Sequence, residues 1–161
     1  MSAVTIDHPA LQAVLDALAA RFNDRLLETR FEKGELSVRV ARGDLRPVLA
    51  FLRDEQGFNA LNDIIGLDNA NAPVAGRPRF SVLYQFYKFP DALRLRVVTD
   101  AAEDEPLPSI TGLYKSADWA EREIFDMFGL RFEGHPGLTR IYLGDDFKGY
   151  PLRKEFPLAG E

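Results

Sequence analysis

RFSVLYQFYKFPDALRLRVVT, residues Arg79 to Thr99, is the stretch on which the fold turns. Its first part, Arg79 to Phe89, is aromatic and β-branched, the composition of a strand packed on a pleated surface. Phe80, Val82, Tyr84 and Phe86 fall on one face at the two-residue period of a strand, which makes that face core. Leu93 to Thr99 reads as a second strand, and Pro90-Asp91 supplies the turn between them.

Working toward the N-terminus, a loop rich in Asn, Pro and Gly spans Asp68 to Pro78, and Phe58 to Ile65 reads as one or two further helical turns. Asp44 is placed to cap a helix with Leu45, Val48, Leu49 and Leu52 on one face. Two short strands precede it, Leu26 to Phe31 and Leu36 to Val40, joined by Glu32-Lys33-Gly34-Glu35. Before them, Asp7 starts a helix with Leu11, Val14, Leu15, Leu18 and Phe22 at helical spacing, and Pro9 is tolerated in its first turn. Helix, strand, strand, helix, strand, strand predicts an α+β fold over residues 1–114. Its form is a two-layer sandwich with a sheet of at least four strands made of hairpins and helices mainly on one face.

Toward the C-terminus, Asp100 to Pro108 reads as an exposed acidic loop, and Ser109 to Tyr114 as an edge strand or a helical turn. Ser116 or Asp118 caps a junction helix, residues 115–129, that ends at Phe128 with Gly129 at C′. Residues 130–161 follow as an extended, irregular tail without helical or strand period. Leu138, Ile141, Tyr142, Leu143, Phe147, Tyr150, Leu152 and Phe156 would each gain roughly 1.5–3 kcal/mol on full burial. Ordering about thirty residues costs on the order of 1–2 kcal/mol each, so side-chain burial alone does not hold the tail. It needs backbone hydrogen bonds and charge pairs, which a partner surface can provide, and it is too aromatic for an ordinary disordered tail. This predicts a partner-binding tail, poorly ordered in the free chain.

Composition narrows the function. The 161 residues suit one domain with a real core, and 46% hydrophobic with 28% charged residues is ordinary for a soluble protein. A net charge of -5 disfavours nucleic acid and anionic lipid as global partners. No apolar run approaches a membrane span, and the N-terminus does not read as a signal peptide. The chain contains no cysteine, which removes disulfides, thiolate iron–sulfur ligation and thiol nucleophiles. With only His8 and His135, it cannot build a Cys/His zinc site. His8 lacks an evident partner and reads as surface. Catalytic, cofactor-binding and metal residues are therefore expected to be none.

The densest charge lies in Glu121-Arg122-Glu123-x-x-Asp126. As an acid and base, Glu121 and Glu123 would point roughly 200° apart on a helix, so they do not share a site. Arg122 and Asp126 stand at i, i+4 and are placed to pair. His135 lies in Gly134-His135-Pro136-Gly137, where Pro136 restricts it to extended geometry; a fixed structural turn is favoured over proton transfer. The aromatic strand 79–89 raises an RNA-binding sheet as a rival, against which stand the acidic balance and the absence of a Gly-flanked aromatic pattern.

Trp119, Glu121-Arg122-Glu123-Ile124-Phe125-Asp126-Met127-Phe128-Gly129, Phe132 and Gly134-His135-Pro136 together closely resemble the signature of the C subunit, or thirty-kilodalton subunit, of respiratory complex I (NADH–quinone oxidoreductase). Leu138-x-Arg140-Ile141 and Gly149-Tyr150-Pro151-Leu152-Arg153-Lys154-Glu155-Phe156-Pro157 continue the resemblance. Gly137, Thr139 and Phe147 depart from the residues common in that family. The resemblance implies a non-catalytic hydrophilic subunit of the peripheral arm, on the cytoplasmic side of a bacterial inner membrane, associated with the membrane only through the complex. It implies the D subunit of complex I as main partner with the B and I subunits nearby, and NADH, FMN, iron–sulfur clusters and quinone in other subunits. Trp119, Glu121, Arg122, Glu123, Asp126, His135, Leu138, Arg140, Ile141, Tyr150, Leu152, Arg153, Lys154 and Phe156 are the expected partner-binding residues. Related subunits of membrane-bound hydrogenases and of ferredoxin- or F420-linked oxidoreductases remain alternatives.

Overall fold

The computed structural model describes residues 6–157. Residues 1–5 of the expected N-terminal domain and 158–161 of the expected tail lie outside the described residues. The α+β expectation holds. The elements are α1 (Pro9–Phe22), β1 (Leu26–Glu32), β2 (Glu35–Val40), α2 (Leu45–Asp54), β3 (Ala60–Asp68), β4 (Phe80–Lys88), β5 (Leu93–Ala101), β6 (Leu107–Pro108), α3 (Ala117–Phe128) and β7 (Phe132–Glu133). Five strands form one sheet in the order β1-β2-β5-β4-β3, and β6 pairs with β7 separately. No helix among the described residues is long and apolar enough to cross a membrane.

The chain divides into two compact units, residues 1–63 with 83–99 and residues 64–82 with 100–161. In the first, β1 and β2 make the expected antiparallel hairpin, turned by Lys33 and Gly34 at positive φ. β2 then runs parallel to β5, with Leu36 beside Leu95 and Val38 beside Val97. β4 and β5 are neighbours joined by only residues 89–92, a connection short enough for an antiparallel pair alone. Leu36, Val38 and Val40 are buried, while Arg39 on the opposite face pairs with Glu28. The helices bury the residues their periods select: Leu11, Val14, Leu18 and Phe22 on α1, and Leu45, Val48, Leu49 and Leu52 on α2. Phe22 and Phe51 meet edge to face at 5.5 Å. Neither Asp7 nor Asp44 caps through its side chain; His8 is the N-cap of α1, and the Asp44 carboxylate pairs with Arg25 instead.

One element differs from expectation. Residues 60–68 form β3, so Phe58 to Ile65 is not helical. Gly57, at φ 77°, turns the chain out of α2, and the buried Phe58 donates its N–H to the Leu52 carbonyl. β3 then buries Leu61 and Ile64 with two exposed residues between them. That break in the alternation mimics the spacing of a helix.

The second unit holds the end of β3, the start of β4, and α3 with everything after it. Asp100 to Pro108 is not wholly loop: Asp100 and Ala101 finish β5, and Leu107–Pro108 lies parallel to Phe132–Glu133. Ser109 to Tyr114 resolves as a turn, with the Leu113 and Tyr114 N–H groups both donating to the Ile110 carbonyl. Gly129 ends α3 in the left-handed conformation at φ 76°, as its C′ position requires. Phe80, Phe128, Ile124, Ile110, Leu107 and Phe132 are buried, and Phe80 meets Phe128 edge to face at 6.4 Å. Residues 134–157 contain turns and bends but neither helix nor strand, as expected for the tail.

Gly66 shows how closely α3 packs on β3. A Cβ there would lie 2.6 Å from the Phe128 ring and 2.9 Å from Ile124 Cδ1, while one at Gly43 meets nothing within 4 Å. Gly66→Ala is therefore expected to cost about 1–3 kcal/mol in urea denaturation. Gly43→Ala is expected to fall within about 0.5 kcal/mol of the unsubstituted chain.

Candidate functional site

The helix period sorts the charges of α3. Glu121, Ile124 and Phe128 are buried, and Trp119 and Glu123 are exposed. Glu121 is 0% exposed, with its Oε1 accepting the Ile110 N–H at 2.7 Å. Burial pushes its carboxyl above the ordinary glutamate value. Glu121 and Glu123 point to different environments, as helical geometry requires, and form no acid–base pair.

Asp126 is also 0% exposed, and the tail is built around it. Its Oδ2 accepts three consecutive backbone N–H groups, from Ile141 at 3.0 Å, Tyr142 at 2.8 Å and Leu143 at 3.1 Å. Its Oδ1 accepts Arg140 Nη1 at 2.9 Å. Burial works to raise this carboxyl. The three N–H bonds and Arg140 outweigh burial and hold it below the ordinary aspartate value. The expected Arg122–Asp126 pair is therefore absent. Both oxygens of Asp126 are engaged by the tail, and Arg122 turns to the tail's acceptors instead. It donates to the Thr139 carbonyl at 3.1 Å, Thr139 Oγ1 at 3.0 Å and the Arg140 carbonyl at 3.3 Å. Its guanidinium lies 4.8 Å from the Trp119 ring centre.

A second carboxylate clasps the far end of the tail. Asp68, buried at the end of β3, accepts Arg79 Nε at 2.8 Å and Nη2 at 2.6 Å, the Ala70 N–H at 3.0 Å and the Lys154 N–H at 2.9 Å. The Arg79 guanidinium holds its carboxyl far below the usual range, and Arg79 also pairs with Glu155. Between the clasps, Arg140 donates to the Gly149 carbonyl, Leu152 N–H to the Met127 carbonyl and Arg153 Nε to the Phe128 carbonyl at 2.7 Å. Arg153 also pairs with Glu103 and lies 4.6 Å from the Tyr150 ring centre. Phe156 stacks on Phe147 at 5.9 Å. Leu138 and Ile141 are half-buried, the Lys154 side chain is exposed, and Leu152 is 52% exposed.

The His135 ring is buried and used on both sides. Nδ1 accepts the Gly137 N–H at 3.0 Å, and Nε2 lies 3.1 Å from the Asp118 carbonyl, which fits the Nε2–H tautomer. It fastens a turn. A hollow in the first unit, about 350 Å³, is open and lined by Arg21, Arg25, Phe51 and Asp54 among others. It carries no nucleophile beside a base.

Of the residues expected to bind a partner, Asp126, Arg140 and Ile141 meet one another within the chain, while Asp68, Arg79 and Glu103 are not among those expected. Asp68 and Arg79 stand at the two ends of the 69–78 loop, and that position was the available signal. The tail, expected to draw backbone hydrogen bonds from a partner, draws them from its own chain.

The depressed carboxyls set a pH dependence. Both are deprotonated when folded, so their contribution is complete above the unfolded value of about 3.9 and is lost as pH falls through the lower folded values. The amide shifts of Ile141, Tyr142, Leu143 and Lys154 in NMR are expected to stay constant from about pH 8 to pH 5 and to move only well below pH 4. In Asp126→Ala those of residues 141–143 should already be displaced at neutral pH.

The chain is similar to known proteins in sequence and in fold. The family model described as respiratory-chain NADH dehydrogenase, 30 Kd subunit, matches residues 38–161. The C subunit of the NADH-quinone oxidoreductase of Citrifermentans bemidjiense is 41% identical over 144 residues, 89% of this chain and 87% of that protein. The same subunit of Phenylobacterium zucineum is 46% identical over 127 residues, 79% of this chain and 59% of that protein. Among solved structures, a trypsin-resistant fragment of Nqo5 aligns with a TM-score of 0.70 at 34% identity, covering 80% of this chain and 99% of the fragment. A chain of an archaeal membrane-bound sulfane sulfur reductase shares the fold, with a TM-score of 0.75 at 20% identity over 91% of this chain and 85% of that one. A match running from β2 through both carboxylate clasps to the last residue, with relatives above 40% identity, shows that the chain belongs to the 30 Kd subunit family of the respiratory-chain NADH dehydrogenase.

Proposed function

We propose that the chain is a non-catalytic subunit of the peripheral arm of a proton-pumping NADH–quinone oxidoreductase, on the cytoplasmic side of a bacterial inner membrane. It clamps the neighbouring D subunit, which helps form the quinone pocket, and lies near the B and I subunits. It supports assembly of the electron-transfer arm, while NADH, FMN, iron–sulfur clusters and quinone are handled by other subunits. Its membrane association runs through the complex.

The observation that carries this reading is the use made of the charged residues. Glu121, Asp126, His135, Arg140 and Arg153 are all engaged in holding backbone. Groups so engaged are poor acids, bases or nucleophiles, because each would have to surrender structural bonds to react. They are well suited to presenting an irregular segment as a defined surface, which lowers the ordering cost of binding. The name carried by the relatives, that of an NADH-quinone oxidoreductase, favours the NADH-linked complex over the hydrogenase and F420-linked alternatives.

Arg122 tests the role. It is partly exposed, its donors reach the tail at Thr139 and Arg140, and its guanidinium lies over the Trp119 ring. In Arg122→Ala the free chain is expected to lose about 1 kcal/mol, or roughly 2–4 °C in melting temperature. Assembled complex on native gels of membranes is expected to fall several-fold, with quinone reductase turnover per assembled complex unchanged. Full assembly, or lost turnover in a complex that still assembles, would contradict the proposal.

A further inference from the structure

Glu121 is as deeply buried as Asp126, but its surroundings are the opposite. Asp126 accepts three backbone N–H groups and an arginine, whereas Glu121 accepts the Ile110 N–H on Oε1 alone. Its Oε2 is buried without a hydrogen-bond partner among the described residues. The Ser109 hydroxyl stands beside this carboxyl and lies 2.9 Å from Thr111 Oγ1.

No cation compensates Glu121. The titratable groups that act on it are Asp118, on α3 itself, and His135, in the turn after β7. Imidazole is a cation only with protons on both ring nitrogens. His135 Nδ1 accepts the Gly137 N–H at 3.0 Å, so that nitrogen carries no proton. The ring's one proton, on Nε2, faces the Asp118 carbonyl at 3.1 Å and Asp118 Oδ1 at 3.5 Å. Arg122, the next residue of α3, directs its donors to Thr139 and the Arg140 carbonyl. An ionised Glu121 would thus be a fully buried charge facing one neutral donor, and a carboxyl in that position takes up a proton instead.

We propose that Glu121 is a neutral carboxylic acid in the folded chain at neutral pH, donating its Oε2 proton to Ser109 Oγ, and that it latches the 109–111 turn to α3 in a manner that alkaline pH releases. The proton turns an orphan acceptor into a donor, and burial raises the carboxyl in the same direction. Once ionised, the side chain reaches water only by swinging away from the Ile110 N–H. The turn it leaves continues β6, whose Leu107 pairs with Phe132 of β7, and the Ser109 N–H donates to the Glu133 carbonyl at 2.8 Å. The latch therefore sits where α3, β6 and the start of the tail are joined. The inference goes beyond the subunit role and does not depend on it.

NMR of the free, uniformly labelled chain tests it. The Glu121 Cδ shift is expected at the protonated-carboxyl position at neutral pH, beside exposed glutamates that are ionised, with His135 Nδ1 unprotonated. A carboxylate shift for Glu121 at neutral pH, or a doubly protonated His135 ring, overturns the proposal without any substitution. In a second arm, hydrogen exchange of the Ile110 amide is compared with that in Glu121→Gln, whose uncharged amide keeps an acceptor and a donor in the same places. Opening exposes Glu121 to water, where its ordinary value is about 4.3. The folded form holds its proton to higher pH, so the latch is strongest in acid and weakens as pH rises toward the folded value. Protection of Ile110 relative to the Gln variant is expected to fall about tenfold per pH unit between about pH 6 and pH 8. A ratio that stays constant over that range overturns the latch.

Discussion

A single carboxylate in the middle of a helix decides what the last part of this chain can do. A segment without helix or strand still carries a donor and an acceptor on almost every residue, and those groups need partners once they leave water. Asp126 gathers three consecutive N–H groups of residues 141–143 on one oxygen and Arg140 on the other. Bonds to a charged acceptor are stronger than neutral ones. Removing one side of such a buried arrangement leaves the other uncompensated, at a cost of about 3–5 kcal/mol.

The rest of the tail is organised by repeating the device. Asp68 takes the Lys154 N–H while locked by Arg79, and arginines between the clasps lie over aromatic rings and reach carbonyls. Gly129 serves two needs at this junction. Its positive φ ends α3, and its missing Cβ leaves room for the Tyr150 ring, which a side chain there would meet at 2.5 Å. The burial term that is too small for a thirty-residue tail is thus supplemented by charge-assisted backbone hydrogen bonds, within the chain.

This has a consequence for recognition. The inward face of α3 and the tail's Arg140 and Arg153 are used in holding the chain to itself. Among the groups left exposed are Trp119, Glu123, Tyr142 and Leu152, together with Lys148 and the Lys154 side chain. An irregular segment held by such bonds offers a partner both side chains and backbone, at a lower ordering cost than a segment without them.

Much of this was legible from residue order. The two-residue period of Phe80 to Phe86 and of Leu36 to Val40, the helical stripes of α1 and α2, Gly129 at the end of α3 and the irregularity of the tail are local properties, and local chemistry determines them. The signature around Glu121 to Asp126 likewise identified the family, since the residue pattern itself is the evidence. What only the tertiary structure decided was partnership. Arg122 and Asp126 are correctly spaced to pair along the helix, yet each finds a better partner fourteen or more residues away, Asp126 in Arg140 and Arg122 in Thr139. Asp68 meets Lys154 across 86 residues. β3 looked helical because its alternation breaks between Leu61 and Ile64. Spacing along the chain reports which groups can meet locally, but a buried charge goes where the most donors converge, and that place exists only once the chain has folded.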